Sequence, residues 1–147
     1  MPSLDLRSIV RALRLERGER RHALRALGWL IAASAAVHVF SYATLTRLVK
    51  RISAGRSART AITTAECATA IRRASRLWPA RCLPQAIAGY CLLRRGGHAA
   101  TVRLGVAIEQ RRLDAHAWLE CGDVIVTGGD VDRHYVPLPA AGGPRPQ

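Results

Sequence analysis

The chain has 147 residues, the size of one domain, or of one domain with an appended helical arm. Its 49% hydrophobic content is ample for a core and excludes wholesale disorder. Formal charge is +13, concentrated early: residues 1–76 carry 15 Lys+Arg against 4 Asp+Glu, residues 77–147 carry 8 against 6.

A basic arm of this kind suits nucleic acid, an anionic membrane surface or an acidic peptide. Of the 23 basic residues, however, only Lys50 is lysine, and Ala and Gly abound. That is the codon bias of a GC-rich genome, so much of the arginine reads as solvated surface. One Phe and few aromatics leave little for base stacking, and nucleic acid is not expected as a partner. Cys67, Cys82, Cys91 and Cys121 form no C-x-x-C pair, so neither a metal site nor a cofactor is expected. Arg7, Arg11, Arg14 and Arg17 interrupt any signal-peptide core, which points to a cytoplasmic chain with free thiols.

Residues 4–25 predict an amphipathic basic helix, weakened at Gly18. From Ala26 to Thr46 there is no charge for 21 residues, long enough to cross a bilayer. Ser34, His38, Ser41, Thr44, Thr46 and the many alanines weigh against insertion. A buried or partner-facing helix is expected instead, with peripheral membrane contact as the residual option. Residues 51–64 read as a loop, the best boundary between a helical region, 1–60, and a catalytic unit, 61–147.

The next helix starts at a Thr64-Ala65-Glu66 cap and runs to about Leu77, with Ala68, Ile71, Ala74 and Ser75 as its small-residue face. Pro79 ends it. A helix from about Cys82 to Arg95 follows, with Pro84 in its first turn and Gly96-Gly97 as its stop. Residues 101–109 alternate as a strand, 114–120 form a second, 121–123 a tight turn and 124–127 a third, with a last short segment at 135–138. The fold class is α+β: helices, then a small antiparallel sheet.

Two residues in this layout carry chemistry. Cys82 opens a helix, where backbone N–H groups and the dipole favour a thiolate. His116 lies 34 residues on, in Asp114-Ala115-His116-Ala117-Trp118-Leu119-Glu120, and looks outward beside an indole if the small apolar side faces the core. An imidazole that can hold the thiol's proton completes two thirds of a thiol-hydrolase site. Cys91 is turned to the opposite side of the helix, and free cysteines are as a rule buried small hydrophobes. A hairpin centred on Gly122 sets Gly128 across from His116. Gly128 has no side chain to orient the ring, and Asp130, close by, is the choice for that role. Asp123 lies in the turn and Asp132 past the strand. The Cys82 N–H stands at the helix start to receive an oxyanion, with Gln85 or Trp118 to complete the hole.

The run Arg81-Cys82-Leu83-Pro84-Gln85, then Leu92-Leu93-Arg94-Arg95-Gly96, Leu104-Gly105-Val106, and Ala115-His116-Ala117-Trp118-Leu119-Glu120, resembles the transglutaminase-like cysteine peptidases of lasso-peptide biosynthesis. Tyr135-Val136-Pro137-Leu138 is similar to that family's closing segment. The resemblance implies a transglutaminase/papain-like core, with Cys82 as nucleophile and His116 as base and then acid. It implies removal of the leader peptide from a ribosomal precursor, in the stand-alone form that needs a small leader-recognition protein and a cyclase. Glycine, Gly128, stands at the position expected to be aspartate, so either Asp130 replaces it or the site is a dyad. Two rivals remain: an acyl or amide transferase using the same site, and a non-catalytic membrane-associated adaptor.

Overall fold

In the computed structural model, which describes residues 17–53, 62–109, 111–129 and 135–138, two helices cover one face of a sheet and two more pack outside them. Helix α1 spans Arg17–Val39 and α2 Tyr42–Ser53. Helix α3 spans Thr64–Leu77 and α4 Cys82–Arg95, and strands β1 (Ala100–Glu109), β2 (Arg112–Cys121), β3 (Val124–Thr127) and β4 (Val136–Pro137) follow. The architecture is the α+β one expected from the pattern.

Helix α1 corrects the expected division at Arg25–Ala26. It runs unbroken through that junction, and the uncharged run is instead cut at Phe40–Ser41. A change of charge does not end a helix, whereas a small hydroxyl residue starts a new one: the Leu45 N–H donates to the Ser41 carbonyl, and the Ser41 and Thr44 hydroxyls bond at 3.0 Å. Ala26, Leu30 and Ala33 form the buried stripe of α1, at helical spacing, against α3 and α4. The other side stays open, with Leu24 62% and Val39 73% exposed. By length and composition α1 is also long and apolar enough to cross a membrane, with mean hydropathy 1.2. Nevertheless Ala26 and Leu30 share one core cluster with Ile71, Leu93 and Leu119, so α1 is no detached arm but one wall of the core. The earlier part of the predicted 4–25 helix lies outside the described residues.

Helix α3 starts at Thr64, and its cap lies one residue before the expected one. Thr63 is the N-cap; its hydroxyl accepts from the Glu66 N–H at 3.2 Å, and the Glu66 carboxylate accepts from the Thr63 N–H at 2.8 Å. The backbone bond from Thr63, then the bond from its hydroxyl, hold the Glu66 carboxyl below its ordinary range. Its buried stripe is Cys67, Ala70, Ile71 and Ala74, a set shifted from the expected small face; Ser75 is only half-buried. The indole N–H of Trp78 donates to Ser34 and ties the end of α3 to α1.

Helix α4 has the predicted bounds and is buried on two sides. Ala86, Ala88, Leu92 and Leu93 join the main cluster, while Ile87 and Cys91 meet Ala33 and Leu45 in a second one. A helix apolar on both sides belongs between layers, which is where α4 sits. Gly97, at φ +89°, ends it in a left-handed turn that glycine adopts without strain.

The sheet order is β3-β2-β1-β4, all neighbours antiparallel. Alternation sends Val102, Leu104, Ala117 and Leu119 toward the helices, where all four meet the main cluster. Arg103, Gly105, His116, Trp118 and Glu120 take the other face. The β2–β3 turn is Gly122-Asp123, one residue shorter than expected because Cys121 belongs to β2, and a bulge between Leu119 and Glu120 shifts the pairing so that Thr127 stands opposite Leu119.

Candidate active site

Cys82 is the first residue of α4, half-buried, a free thiol packed against the edge of the main cluster. Arg81, in extended conformation, caps the helix without a side-chain hydrogen bond. Pro84 has no N–H, and the Gln85 N–H is taken by the Arg81 carbonyl at 3.4 Å. The N–H groups of Cys82 and Leu83 are thus left at the positive end of the helix, the setting in which a thiolate or an oxyanion gains most. The Gln85 amide donates to the Ala80 carbonyl at 2.7 Å, bracing the turn before the helix.

The other thiols lack this setting. Cys67 is fully buried and its S–H points at the Gly89 carbonyl, 3.7 Å away; burial pushes its pKa up to about 12. Cys91 is buried on the outer side of α4, and Cys121 is half-buried on the core face of β2. Reactivity follows thiolate character and access, and only Cys82 has a helix start behind it.

His116 lies on the outer face of β2, as alternation predicted. Its ring stacks toward Trp118 at 6.4 Å between centroids and is tilted against Tyr135 at 5.2 Å. Tyr135 in turn donates its hydroxyl to Asp114. Trp118 is 4% exposed although it faces away from the helices, because its ring lies flat over Gly105. A Cβ at Gly105 would stand 2.8 Å from that ring. The indole N–H donates to Glu120 at 2.7 Å, and Arg103 bonds the same carboxylate at 3.0 Å. Burial pushes the Glu120 carboxyl up, but these bonds and the Arg103 charge outweigh it and hold it below the usual range. With its N–H bound to Glu120, Trp118 acts here as a floor beside His116 rather than as a free donor.

The strongest bond at His116 involves a residue set aside in the sequence reading. Nε2 lies 2.6 Å from the Gly128 carbonyl oxygen. A carbonyl only accepts, so Nε2 carries the proton and Nδ1 is left with its lone pair. The expectation that Gly128 can orient nothing is corrected: it lacks a side chain, but its main chain does the work. Asp130, the expected orienting carboxylate, lies outside the described residues. Gly128 was findable from sequence only by counting backbone carbonyls as acceptors, and Tyr135 only as an aromatic returning to β1 in the closing segment.

The positions of Cys82 and His116 follow from the layering. Gly89 of α4 sits on Leu119 of β2, and the C-terminal end of α4 turns into Ala100, opposite Cys121. Cys82 lies at the start of that helix, and His116 on the outer face of β2. The two approach from different layers, thiol from the helix side and imidazole from the outer face, and no hydrogen bond joins them among the described residues.

The family comparison fits this arrangement of helix-start cysteine and strand histidine: the profile of the transglutaminase-like superfamily matches residues 27–140. The chain belongs to the transglutaminase-like superfamily. Its members are in general cysteine peptidases or transferases. It begins at Leu27, inside α1, consistent with that helix being part of the core. No curated protein and no solved structure matches the chain.

Proposed function

We propose that this transglutaminase-like chain is a cysteine peptidase that removes the leader peptide from a lasso precursor. The observation that carries the reading is the half-buried Cys82 thiol at the uncapped start of α4. The lasso assignment itself rests on the motifs around Cys82 and His116. Cys82 is the nucleophile and His116, through Nδ1, is the base. The thiolate attacks the carbonyl joining leader to core, and the oxyanion is received by the N–H groups at the helix start. The proton taken by His116 passes to the leaving amine of the core peptide as the thioester forms. Water, activated by the same nitrogen, then hydrolyses the thioester and frees the leader. This requires the imidazole and thiol to come within hydrogen-bond reach when substrate binds. A leader-recognition protein and a cyclase are the proposed partners, in the cytoplasm.

The test is mass spectrometry of a lasso precursor incubated with the chain and a leader-recognition protein. Wild type is expected to cut at the leader–core junction. Cys82→Ala and His116→Ala are expected to keep the fold and lose the cut by at least about 100-fold. Cutting that survives in Cys82→Ala overturns the reading. Adding an amine nucleophile separates hydrolysis from acyl transfer, since a transferase would convert the thioester to a leader amide.

A further inference from the structure

We infer that the main-chain carbonyl of Gly128 is the positioning group for His116, so that the triad's third member is a neutral backbone oxygen and not a carboxylate. The inference rests on the proposed role of His116 as base. Three observations carry it. The first is the 2.6 Å contact between Nε2 and the Gly128 oxygen, at the short end of hydrogen-bond distances and on the nitrogen opposite the one the mechanism needs. The second is the conformation at Gly128, φ +115°, a region closed to residues with a Cβ. The third is space. A Cβ there would lie 2.5 Å from the Trp118 Cβ and 3.0 Å from its Cα, backbone that cannot swing aside. Only glycine lets the chain after β3 lie against β2 with its carbonyl on His116. The residue that denies the site a carboxylate is thus the one that supplies an oxygen.

The bond fixes both tautomer and ring direction. Nε2–H donates, Nδ1 keeps its lone pair for the Cys82 proton, and the ring is held between Trp118 and Tyr135. What changes is charge. A carboxylate would stabilise the imidazolium formed when Cys82 ionises; a carbonyl dipole does so less. Among the described residues on this side, Asp114 accepts from Tyr135, and Glu120 is held by Trp118 and Arg103.

Two measurements test this on the full chain. The first is the ¹⁵N spectrum of His116 in the free protein, which reports the tautomer without any substrate. The Nε2–H form is expected, and a dominant Nδ1–H form overturns the inference. The second is the Asp130→Asn variant, followed by the pH dependence of Cys82 alkylation by iodoacetamide and by the His116 ¹⁵N titration. With Gly128 as the positioning group, both profiles are expected to superimpose on wild type and peptide cutting to change less than about 3-fold. If Asp130 orients the ring, the alkylation limbs shift and cutting falls on the order of 100-fold or more, the usual range for a lost acid–base partner. That result sinks the inference. Failure to cut any lasso precursor, with the Nε2–H tautomer present and Asp130→Asn silent, would instead count against the peptidase reading and leave the Gly128 tether standing.

Discussion

The contact that holds α4 over β2 is Gly89 on Leu119. A Cβ at residue 89 would lie 2.7 Å from Leu119 Cδ2. Gly89→Ala in an open helix would stabilise by about 1 kcal/mol through helix propensity. Here Leu119 is 0% exposed and cannot retreat, so an overpacking cost of about 1–3 kcal/mol opposes that gain. The expected net effect is a loss of about 1 kcal/mol. Leu119→Ala alone removes a fully buried side chain and should cost about 2–5 kcal/mol. Combined, the two should not add. With Leu119 shortened, the nearest remaining atoms to the new Cβ are Thr127 Cγ2 at 3.5 Å and Cys67 Sγ at 3.7 Å, ordinary contacts. Gly89→Ala then recovers its propensity gain, fills part of the cavity and changes sign to stabilising, a coupling of about 2 kcal/mol. Urea unfolding of the four proteins, by far-UV circular dichroism with m held constant, reads this directly. Additivity within about 0.5 kcal/mol, or a Gly89→Ala that stabilises the wild-type background, would refute the helix-on-strand contact.

Two further outcomes are expected. Thr63→Ala should cost about 1 kcal/mol at neutral pH by removing the cap of α3. Glu66, whose carboxyl is depressed in the fold, contributes stability that is fully present above its ordinary value of 4.5 and is lost as pH falls through its lower folded value. The stability difference between wild type and Glu66→Gln should therefore shrink toward zero in acid, as followed by thermal melts from pH 7 downward; a pH-independent difference would deny the carboxylate its part. In the folded protein, iodoacetamide should label Cys82 first, Cys121 more slowly, and Cys67 and Cys91 only on unfolding, as peptide mapping would show. Fast labelling of Cys67 below pH 9 would contradict its burial and raised pKa.

Helix α4 and strand β3 were readable to the residue, because their signals are local: Pro84 in a first turn, Gly96-Gly97 at a stop, and a tight turn around Gly122. Helix α1 was not. Its division was drawn where charge ends, yet its burial follows Ala26, Leu30 and Ala33 against partners some 40 to 60 residues away, and its break follows Ser41. The small face of α3 was displaced for a similar reason, since which alanines and cysteine turn inward depends on where α4 and β3 lie. At the site, the types and order of Cys82 and His116 were legible as chemistry. The role of Gly128 was not, because periodicity counts side chains and a carbonyl has no letter.

Composition, breakers and alternation by themselves determined the α+β class, the helix that begins at Cys82 and the outward face of His116. These are properties of a residue and its near neighbours, where propensity, capping and period act. Tertiary structure alone decided that α1 is a wall of the core, that a bulge at Leu119 moves the register, and that the Gly128 oxygen meets His116. Those outcomes depend on contacts between residues far apart in the chain, and on one glycine at φ +115° whose missing Cβ lets two strands come close enough for a backbone carbonyl to hold an imidazole.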